Sequence, residues 1–158
     1  MISKIMDKLG RRRVIRDRES KQPYLIRYYV FLKDRKKFPF NITVHKVLKS
    51  DKPVLHDHPW NWGAMIVSGG YWEHIPVISQ EGNVVGSTKE WRGPGHIRFR
   101  KAKDLHWLEL EKDPEGNEIP CTSIFFMGRK CKEWGFVDWI QFQGYRWIHN
   151  EKYLRENK

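Results

Sequence analysis

Two histidines separated by a single residue, His56 and His58, have the clearest potential for chemistry in this sequence. Side chains two positions apart in an extended segment point to the same side, so both imidazoles can reach one point. Imidazole binds zinc, iron, copper, nickel and manganese alike, so the pair indicates a metal without selecting one. Alone it is a weak signal, and the residues around it decide its meaning.

The residues around the pair resemble the two motifs of the cupin superfamily. The first motif is HxH, four residues, Glu, six residues and Gly; here Gly63 stands at the Glu position and Gly70 at the Gly position. The second motif is Gly, five residues, Pro, one residue, Gly, two residues, His, three residues and Asn. Gly95 and His106 match its first Gly and its His. The Pro, second Gly and Asn positions hold Lys101, Lys103 and Leu110.

This resemblance covers roughly residues 41–127 and implies an all-β fold, the cupin double-stranded β-helix or jelly-roll barrel. It also implies one divalent metal ion held by His56, His58 and His106, with open positions for water, dioxygen or substrate. A site with three histidines and no Glu is similar to that of the thiol dioxygenases. Fe(II) is therefore the favoured metal, with zinc, manganese and nickel as alternatives. The other interpretation is three histidines packed in a barrel without metal.

A second likeness rests on residues 56–74 together with Gly128-Arg129 and Trp134-Gly135-Phe136. These segments resemble small uncharacterised cupin-like proteins of phages and bacteria. The likeness supports the fold and implies no activity.

Several residues near the histidine pair are candidates for roles beside a metal. Glu73 and Tyr71 share one parity on the strand after the pair, so both can project into the cavity as catalytic acid or base. His45, on the strand before the pair, can orient a ligand imidazole. An outward Glu73, a core Tyr71 and a His45 without a role in the site remain open. Asp57, between the two ligands, should face away from the metal.

Charged and aromatic residues suggest what the cavity binds. Three neutral imidazoles leave the charge of a divalent ion uncompensated, which favours an anionic substrate. Arg98 and Arg100 share one strand face, which would bind a carboxylate or phosphate if it turned inward and would form a solvated edge if it turned outward. We favour the outward orientation. The aromatic stretch 59–62 is interpreted either as a stacking wall for a ligand or as core packing.

The elements that must position these residues are mostly short β-strands. A helical apolar spacing over residues 2–9 predicts one short helix before Gly10. Nine later runs rich in β-branched and aromatic residues predict strands. Their ranges are 24–32, 41–48, 62–67, 71–78, 86–92, 96–100, 106–111, 122–127 and 136–142. We divide the chain into a basic arm and helix at 1–22, a barrel at 23–144 and a helical or ordered tail at 145–158.

Composition narrows the class of protein. The 158 residues suit one domain, and 39% hydrophobic with 14% aromatic residues is enough for a compact core. No segment resembles a membrane span or secretory signal, so we expect a cytoplasmic protein without membrane partners. The net charge of +11 is concentrated in residues 1–37, which hold thirteen Lys and Arg against four Asp and Glu. This segment has the charge to contact nucleic acid, but a solvated arm is favoured.

We therefore predict a mononuclear non-haem iron enzyme of dioxygenase-like type, acting on a small anionic substrate. One alternative is a sugar-nucleotide isomerase or epimerase. Another is a non-catalytic module that binds a small ligand, with the basic arm contacting nucleic acid. A homodimer formed through edge strands is also expected, because exposed strand edges pair readily.

Overall fold

The computed structural model describes residues 2–17, 20–33, 38–140 and 144–156. Within these residues two short helices flank a series of β-strands. The elements in chain order are α1 Ile2–Lys8, β1 Arg12–Arg16, β2 Pro23–Tyr29, β3 Asn41–Val47, β4 Leu55–His56, β5 Trp60–Ser68, β6 Tyr71–Ile78, β7 Val84–Arg92, β8 Ile97–Arg100, β9 Trp107–Leu110, β10 Cys121–Lys130, β11 Gly135–Ile140, β12 Gly144–His149 and α2 Asn150–Glu156. Neither helix has the length and apolar character that crossing a bilayer requires.

The largest sheet has six antiparallel strands in the order β1-β2-β3-β10-β5-β8. Its inner face is marked by the alternating burial of β3, where Asn41, Thr43, His45 and Val47 are buried and Lys46 is exposed. Polar residues thus occupy inner positions that usually hold apolar side chains, and this indicates a lined cavity rather than a purely apolar core.

Two three-stranded sheets, β12-β11-β4 and β7-β6-β9, complete the architecture. A backbone bridge between His56 and His106 joins them, since His56 ends β4 and His106 precedes β9. The β7-β6-β9 sheet packs on the large sheet through a common apolar cluster. The members of this cluster are Leu25, Val47, Ile66, Tyr71, Leu110 and Cys121.

The all-β class, the short amino-terminal helix and the carboxy-terminal helix are confirmed. Each of the nine predicted strands has a counterpart, and β6 has the predicted bounds of 71–78. The strands β1, β4 and β12 were not predicted. Because β1 pairs with β2 along Arg12–Arg16, the segment predicted as an arm supplies an edge strand of the large sheet.

Candidate metal centre

The fold brings the three histidines together through backbone pairing. His56 and His106 exchange both backbone hydrogen bonds, each with an N···O distance of 3.0 Å. The next ligand candidate, His58, lies in the loop between β4 and β5, where its N–H donates to the carbonyl of Ala102 at 3.0 Å. Residues 50 positions apart in sequence are thereby fixed beside each other before any side chain contributes.

The three imidazole rings form a nearly equilateral triangle. Ring centroids lie 5.4 Å apart for His56 and His58, and 5.1 Å from His106 to each of the other two. One ring nitrogen from each residue lies within 4.8 Å of the others. The Nε2 atoms of His58 and His106 are 2.8 Å apart. Two nitrogens bonded to one ion at about 2.1 Å and at right angles lie about 3 Å apart, so this spacing suits a shared metal.

Hydrogen bonds at the far side of two rings select the nitrogen that faces the centre. The Nδ1 of His106 lies 3.2 Å from Oε1 of Glu73, and the Nδ1 of His56 lies 3.4 Å from the carbonyl of Val54. Both acceptors require Nδ1 to carry the proton, which leaves the Nε2 lone pair free to bind a metal. The donor set therefore fits a divalent ion held by three imidazoles.

The surroundings keep two of these rings neutral. Burial lowers the pKa of His56, and burial together with the neighbouring His106 and His56 lowers the pKa of His58 well below its ordinary value. A neutral imidazole is the form that binds a metal. The site is thus electrostatically set for coordination at neutral pH.

Asp57 faces away from the three histidines, as predicted. Its Oδ1 accepts from the backbone N–H of Gly135 at 2.8 Å, and its Oδ2 accepts from the indole N–H of Trp147 at 3.1 Å and from Lys132. These contacts fasten the loop that carries His58 to β11 and β12. Because alternate residues point in opposite directions, holding Asp57 outward holds its two neighbours inward.

Glu73 lies behind His106, on the side away from the other two histidines' nitrogens. The carboxylate is fully buried, at 0% exposure, and three guanidinium groups surround it. Arg92 donates to Oε2 at 2.9 Å, Arg100 donates to Oε1 at 2.9 Å, and the Nε of Arg98 lies 3.3 Å from Oε2. Oε1 is also the oxygen that faces His106. Glu73 therefore links the arginine cluster to a candidate metal ligand.

Glu73 is held as a carboxylate. Burial by itself raises the pKa of this group, but the hydrogen bond to His106 and the charges of His106 and Arg100 outweigh burial and lower the pKa to about 2. The structure places Glu73 inward, while the acid–base role predicted from the sequence stays a prediction. Tyr71, the second candidate, lies in the apolar cluster, where burial raises the pKa of its phenol.

The favoured orientation of the arginine strand was wrong. Arg98 and Arg100 turn inward to Glu73, whereas Ile97 and Phe99 point to solvent, with Phe99 75% exposed. The parity of β8 is thus inverted relative to the usual rule that apolar residues face inward. The buried carboxylate of Glu73 explains the inversion. Leaving a buried charge without cations costs more free energy than exposing two apolar side chains on the outer face.

The position matched to the cupin Glu, Gly63, does not face the three histidines. Gly63 pairs with Phe99 on the outer face, and a Cβ added to Gly63 would lie 2.7 Å from the Phe99 ring. A carboxylate at this position would therefore point away from the histidines. The inward neighbour is Trp62, whose ring centroid lies 5.2 Å from His58 and 4.9 Å from His106. Of the aromatic stretch 59–62, Trp62 is the residue that lines the site.

His45 is buried on the inner face of β3, but its contacts differ from those expected. Its Nε2 lies 2.9 Å from the Nε of Arg27 and 3.1 Å from the hydroxyl of Thr43. Its ring stacks on Phe125 at 4.4 Å, and Phe125 in turn stacks on Trp62 at 5.5 Å. Two aromatic rings therefore separate His45 from the three histidines, and its predicted role in orienting a ligand imidazole stays a prediction.

No protein-family model matches the sequence, and no curated protein matches it. Solved structures match in fold. The polyketide cyclase RemF from Streptomyces resistomycificus gives a TM-score of 0.54 at 14% identity, over 83% of this chain and 78% of that chain. An RmlC-like cupin from Ralstonia eutropha gives a TM-score of 0.49 at 11% identity, over 92% of this chain and 78% of that chain. The chain has the cupin fold.

A third match in fold is to an enzyme with a longer chain. Hydroxypropylphosphonic acid epoxidase from S. wedmorenis gives a TM-score of 0.50 at 11% identity, over 76% of this chain and 56% of the epoxidase chain. This chain thus spans little more than half the length of the epoxidase. At such identities the similarity concerns the fold, and the chemistry has to be argued from the residues.

Sequence reasoning missed Arg92, and it left open whether Trp62 lines the site or packs in the core. Arg92 ends β7 and is almost completely buried, yet nothing in its local sequence distinguishes it from an exposed arginine. Its register opposite Tyr71 on β6 brings it to Glu73. Only the strand pairing, which is not visible in one sequence, could have identified it.

Proposed function

We propose that this cupin is a mononuclear, metal-dependent enzyme of the dioxygenase-like oxidoreductase class that acts on a small organic anion. The observation that carries the proposal is the convergence of three imidazoles, those of His56, His58 and His106, on one point inside the barrel. In two of these rings, those of His56 and His106, an acceptor at Nδ1 leaves Nε2 available as a metal ligand.

The three imidazoles would hold the ion through their Nε2 atoms. When bound, the metal supplies Lewis acidity and, if it is iron, redox chemistry with dioxygen. Iron is favoured because histidine-rich sites with open positions suit Fe(II), and a fold neighbour with a TM-score of 0.51 is described as Fe(II)-HppE. Zinc, manganese and nickel bind the same donor set and remain alternatives.

Glu73 would act as a positioning residue. Its carboxylate accepts the Nδ1–H of His106, which fixes the ring orientation and makes the opposite nitrogen a better electron donor. The three arginines hold the carboxylate in its ionised state and in one orientation. Glu73 would therefore not bind the ion directly. Its carboxylate would act on the metal through the hydrogen bond to His106. Tyr71 keeps its proposed role as a proton donor.

An anionic substrate follows from the charge of the interior. Three neutral imidazoles do not offset a divalent ion. Behind them, Arg92, Arg98 and Arg100 contact the two carboxylates of Glu73 and Glu90, which leaves one cationic charge in excess. A carboxylate, phosphate or phosphonate group would offset part of this charge on binding.

A second candidate function is a metal-dependent reaction without dioxygen, such as an isomerisation or cyclisation. The observation that favours it is the fold neighbour RemF, which is described as a polyketide cyclase. In such a reaction the metal would act only as a Lewis acid, and zinc or manganese would serve as well as iron. A metal-free epimerase is disfavoured, because it has no use for three converging imidazoles.

Elemental analysis of the untagged protein tests the proposal. We expect about one metal ion per chain, with iron supporting the oxygenase and zinc or manganese supporting the Lewis-acid alternative. His56→Ala and His106→Ala should lose the metal. His74→Ala is the matched control, because His74 stacks on Trp107 and bonds Glu109 outside the site. Metal retained in both site variants, or absent from the native protein, would overturn the proposal.

A further inference from the structure

A row of polar residues crosses the inner face of the large sheet at one level. Arg13 on β1 stands opposite Arg27 on β2, Arg27 stands opposite His45 on β3, and His45 stands opposite Ser123 on β10. Residues directly opposite each other in antiparallel strands share a face. Exposure falls along the row, from an exposed Arg13 through a half-buried Arg27 to a buried His45 and Ser123. The row therefore leads from solvent into the barrel.

The two arginines of this row have no anionic partner among the residues that the structure describes. Within residues 2–17, 20–33, 38–140 and 144–156, no carboxylate forms an ion pair with Arg13 or Arg27. Like charges directly opposite each other in a sheet destabilise it. A half-buried guanidinium without an anion is also costly. An anion bound between them would remove both penalties.

His45 anchors Arg27 without neutralising it. The Nε of Arg27 donates to Nε2 of His45 at 2.9 Å, so His45 must be the acceptor and hence uncharged. Burial and the charge of Arg27 lower the pKa of His45 well below its ordinary value, in agreement with this assignment. The guanidinium of Arg27 is fixed through Nε. Its two terminal nitrogens can then donate two parallel hydrogen bonds to a carboxylate or phosphonate.

A second, independent observation comes from Trp62, beside the three histidines. In the part of the chain that the structure describes, the buried indole N–H of Trp62 has no hydrogen-bond partner. A buried donor left unpaired is costly, so such a donor usually has a ligand or a water. One ring, Phe125, stacks between Trp62 and His45. The unpaired donor and the unpaired cation thus lie along one wall.

We propose that this wall is the substrate site, with the anionic group of a small organic acid on Arg27 and an acceptor atom nearer the histidines on the indole N–H of Trp62. The proposal rests on the proposed function, because it orients the substrate toward the three-histidine centre. It adds that the charged end of the substrate is bound away from that centre. Carboxylates and phosphonates share the required chemistry, and the test distinguishes them.

Titration calorimetry of the full-length protein, as purified, with 3-hydroxypropionate, 3-hydroxypropylphosphonate and propanol tests this site, because the hydroxyl of each anion can accept the indole N–H of Trp62. We expect one anion to bind per chain and propanol not to bind, with the tighter anion identifying the class. Arg27→Gln should weaken anion binding at least tenfold, because a charged hydrogen-bonding partner is lost. Trp62→Phe keeps the ring and removes the N–H, and should weaken binding severalfold.

Lys46→Gln is the matched control, because Lys46 is exposed on the outer face of β3, next to His45, and its loss removes the same charge. It should bind the anion as the native protein does. Arg13→Gln, at an exposed position that cannot disturb the core, should weaken binding about threefold. Equal affinities in Arg27→Gln, Arg13→Gln and Lys46→Gln would show attraction to a basic protein only and would overturn the site.

Metal content measured on the same samples separates this proposal from the proposed function. Arg27→Gln should keep the native metal, since Arg27 does not contact the three histidines. Anion binding that persists in His56→Ala, which should lose the metal, would support the Arg27 site while counting against a metal-bound anion. Anion binding lost in His56→Ala but unchanged in Arg27→Gln would place the anion on the metal and overturn the inference.

Discussion

A buried carboxylate that touches a histidine distinguishes the three-histidine centre of this protein. Oε1 of Glu73 lies 3.2 Å from Nδ1 of His106 and is shared with Arg100. A carboxylate bound directly to a divalent ion would neutralise part of its charge. Placed behind an imidazole, it instead fixes the ring and raises the basicity of the opposite nitrogen. The open charge at the centre is then left for the substrate.

Replacing Glu73 with Gln should weaken metal binding by about 10- to 100-fold, as for other groups that orient metal ligands. The same change leaves three buried or half-buried arginines short of an anion, so the free energy of unfolding should also fall. Competition with a chelator measures the affinity. Glu109→Gln is the control, because Glu109 makes an equivalent contact to His74 at 2.7 Å on the outer face. Equal affinities in the two variants would refute the role of Glu73.

At this scale the sequence predicted the metal-ligand candidates but not their environment. His56, His58 and His106 are predicted from the resemblance to the cupin motifs, which ties each of them to a place in the fold. The inward orientation of the arginines around Glu73 was not predicted, because inward and outward faces were assigned from the usual burial of apolar residues. In β8 the arginines turn inward and Phe99 turns outward, so that rule gives the reverse of the observed orientation.

The loop between β4 and β5 shows how strands far along the chain hold the site. Asp57 accepts from Gly135 on β11 and from Trp147 on β12, and it pairs with Lys132. These bonds act on a carboxylate that is 3% exposed. The strands β11 and β12 thus support the three-histidine cluster without contributing a ligand candidate.

Asp57→Asn should lower the free energy of unfolding by about 2 to 3 kcal/mol, since hydrogen bonds to a buried charged group are lost. Metal affinity should fall with it, because the loop that carries His58 is no longer fastened. Urea unfolding and chelator competition measure the two effects. Asp113→Asn removes a carboxylate that also accepts a backbone N–H, from Asn117, in an exposed turn. Asp113→Asn should lower the free energy of unfolding much less than Asp57→Asn does. An equal decrease in the two variants would contradict the anchoring role of Asp57.

The basic amino-terminal segment belongs to the sheet rather than to a free arm. Ile15 on β1 packs against the core cluster, and Arg11 donates to the carbonyl of Tyr29. The helix α1, in contrast, is held near β1 by a surface ion pair between Arg12 and Asp7. The two parts of the segment therefore differ in what they contribute to stability.

Deleting residues 2–8 should change the free energy of unfolding by less than about 0.5 kcal/mol, as expected for surface changes. Deleting residues 2–17 should lower it by about 2 kcal/mol or more, because Ile15 loses its packing and β2 becomes an exposed edge. Urea titration of both truncated proteins checks the difference. Similar stabilities would show that β1 is dispensable and that the segment is an arm after all.

The elements missed by sequence analysis share a physical cause. In β1 and β12 the alternation of apolar residues is broken by arginine and tryptophan, and β4 spans only Leu55–His56. Strands of this kind are specified by the partners they pair with rather than by their own residues. The longer runs, such as β6 and β10, carry enough β-branched and aromatic residues to be predicted locally.

For the whole molecule, the distribution of charge bears on its partners. Three of the amino-terminal arginines already bond within the chain: Arg11 to Tyr29, Arg12 to Asp7 and Arg16 to Lys21. Nucleic-acid binding by this segment stays a prediction, as does a homodimer. A steep loss of RNA or DNA binding with added salt would support the former, and light scattering tests the latter.

Buried neutral histidines should make the stability of the whole protein depend on pH. The folded state keeps His45 uncharged, whereas the unfolded chain takes up a proton below about pH 6.5. The unfolded state then binds more protons, so stability should fall by about 1.4 kcal/mol per pH unit for this group as the pH drops below 6.5. His56 and His58, whose pKa values are also lowered, act in the same direction.

Urea unfolding of chelator-treated protein between pH 7.5 and 5.5 measures this dependence without metal release. His45→Gln keeps an acceptor for Arg27 and removes the titrating ring, so its stability should fall less steeply than that of the native protein. Lys46→Gln, an exposed change next to His45 on β3, is the control and should follow the native profile. A native-like slope in His45→Gln would exclude His45 as the source.

The anchoring of the Asp57 loop has a consequence for biosynthesis. A chain leaves the ribosome from its amino terminus, so the histidine pair emerges long before Lys132, Gly135 and Trp147, the groups that fasten it. Until those last strands are made, the nascent polypeptide carries imidazoles that are not yet held in a coordinating arrangement. If the site binds a metal as proposed, the ion would therefore be loaded late, after the last strands have been translated.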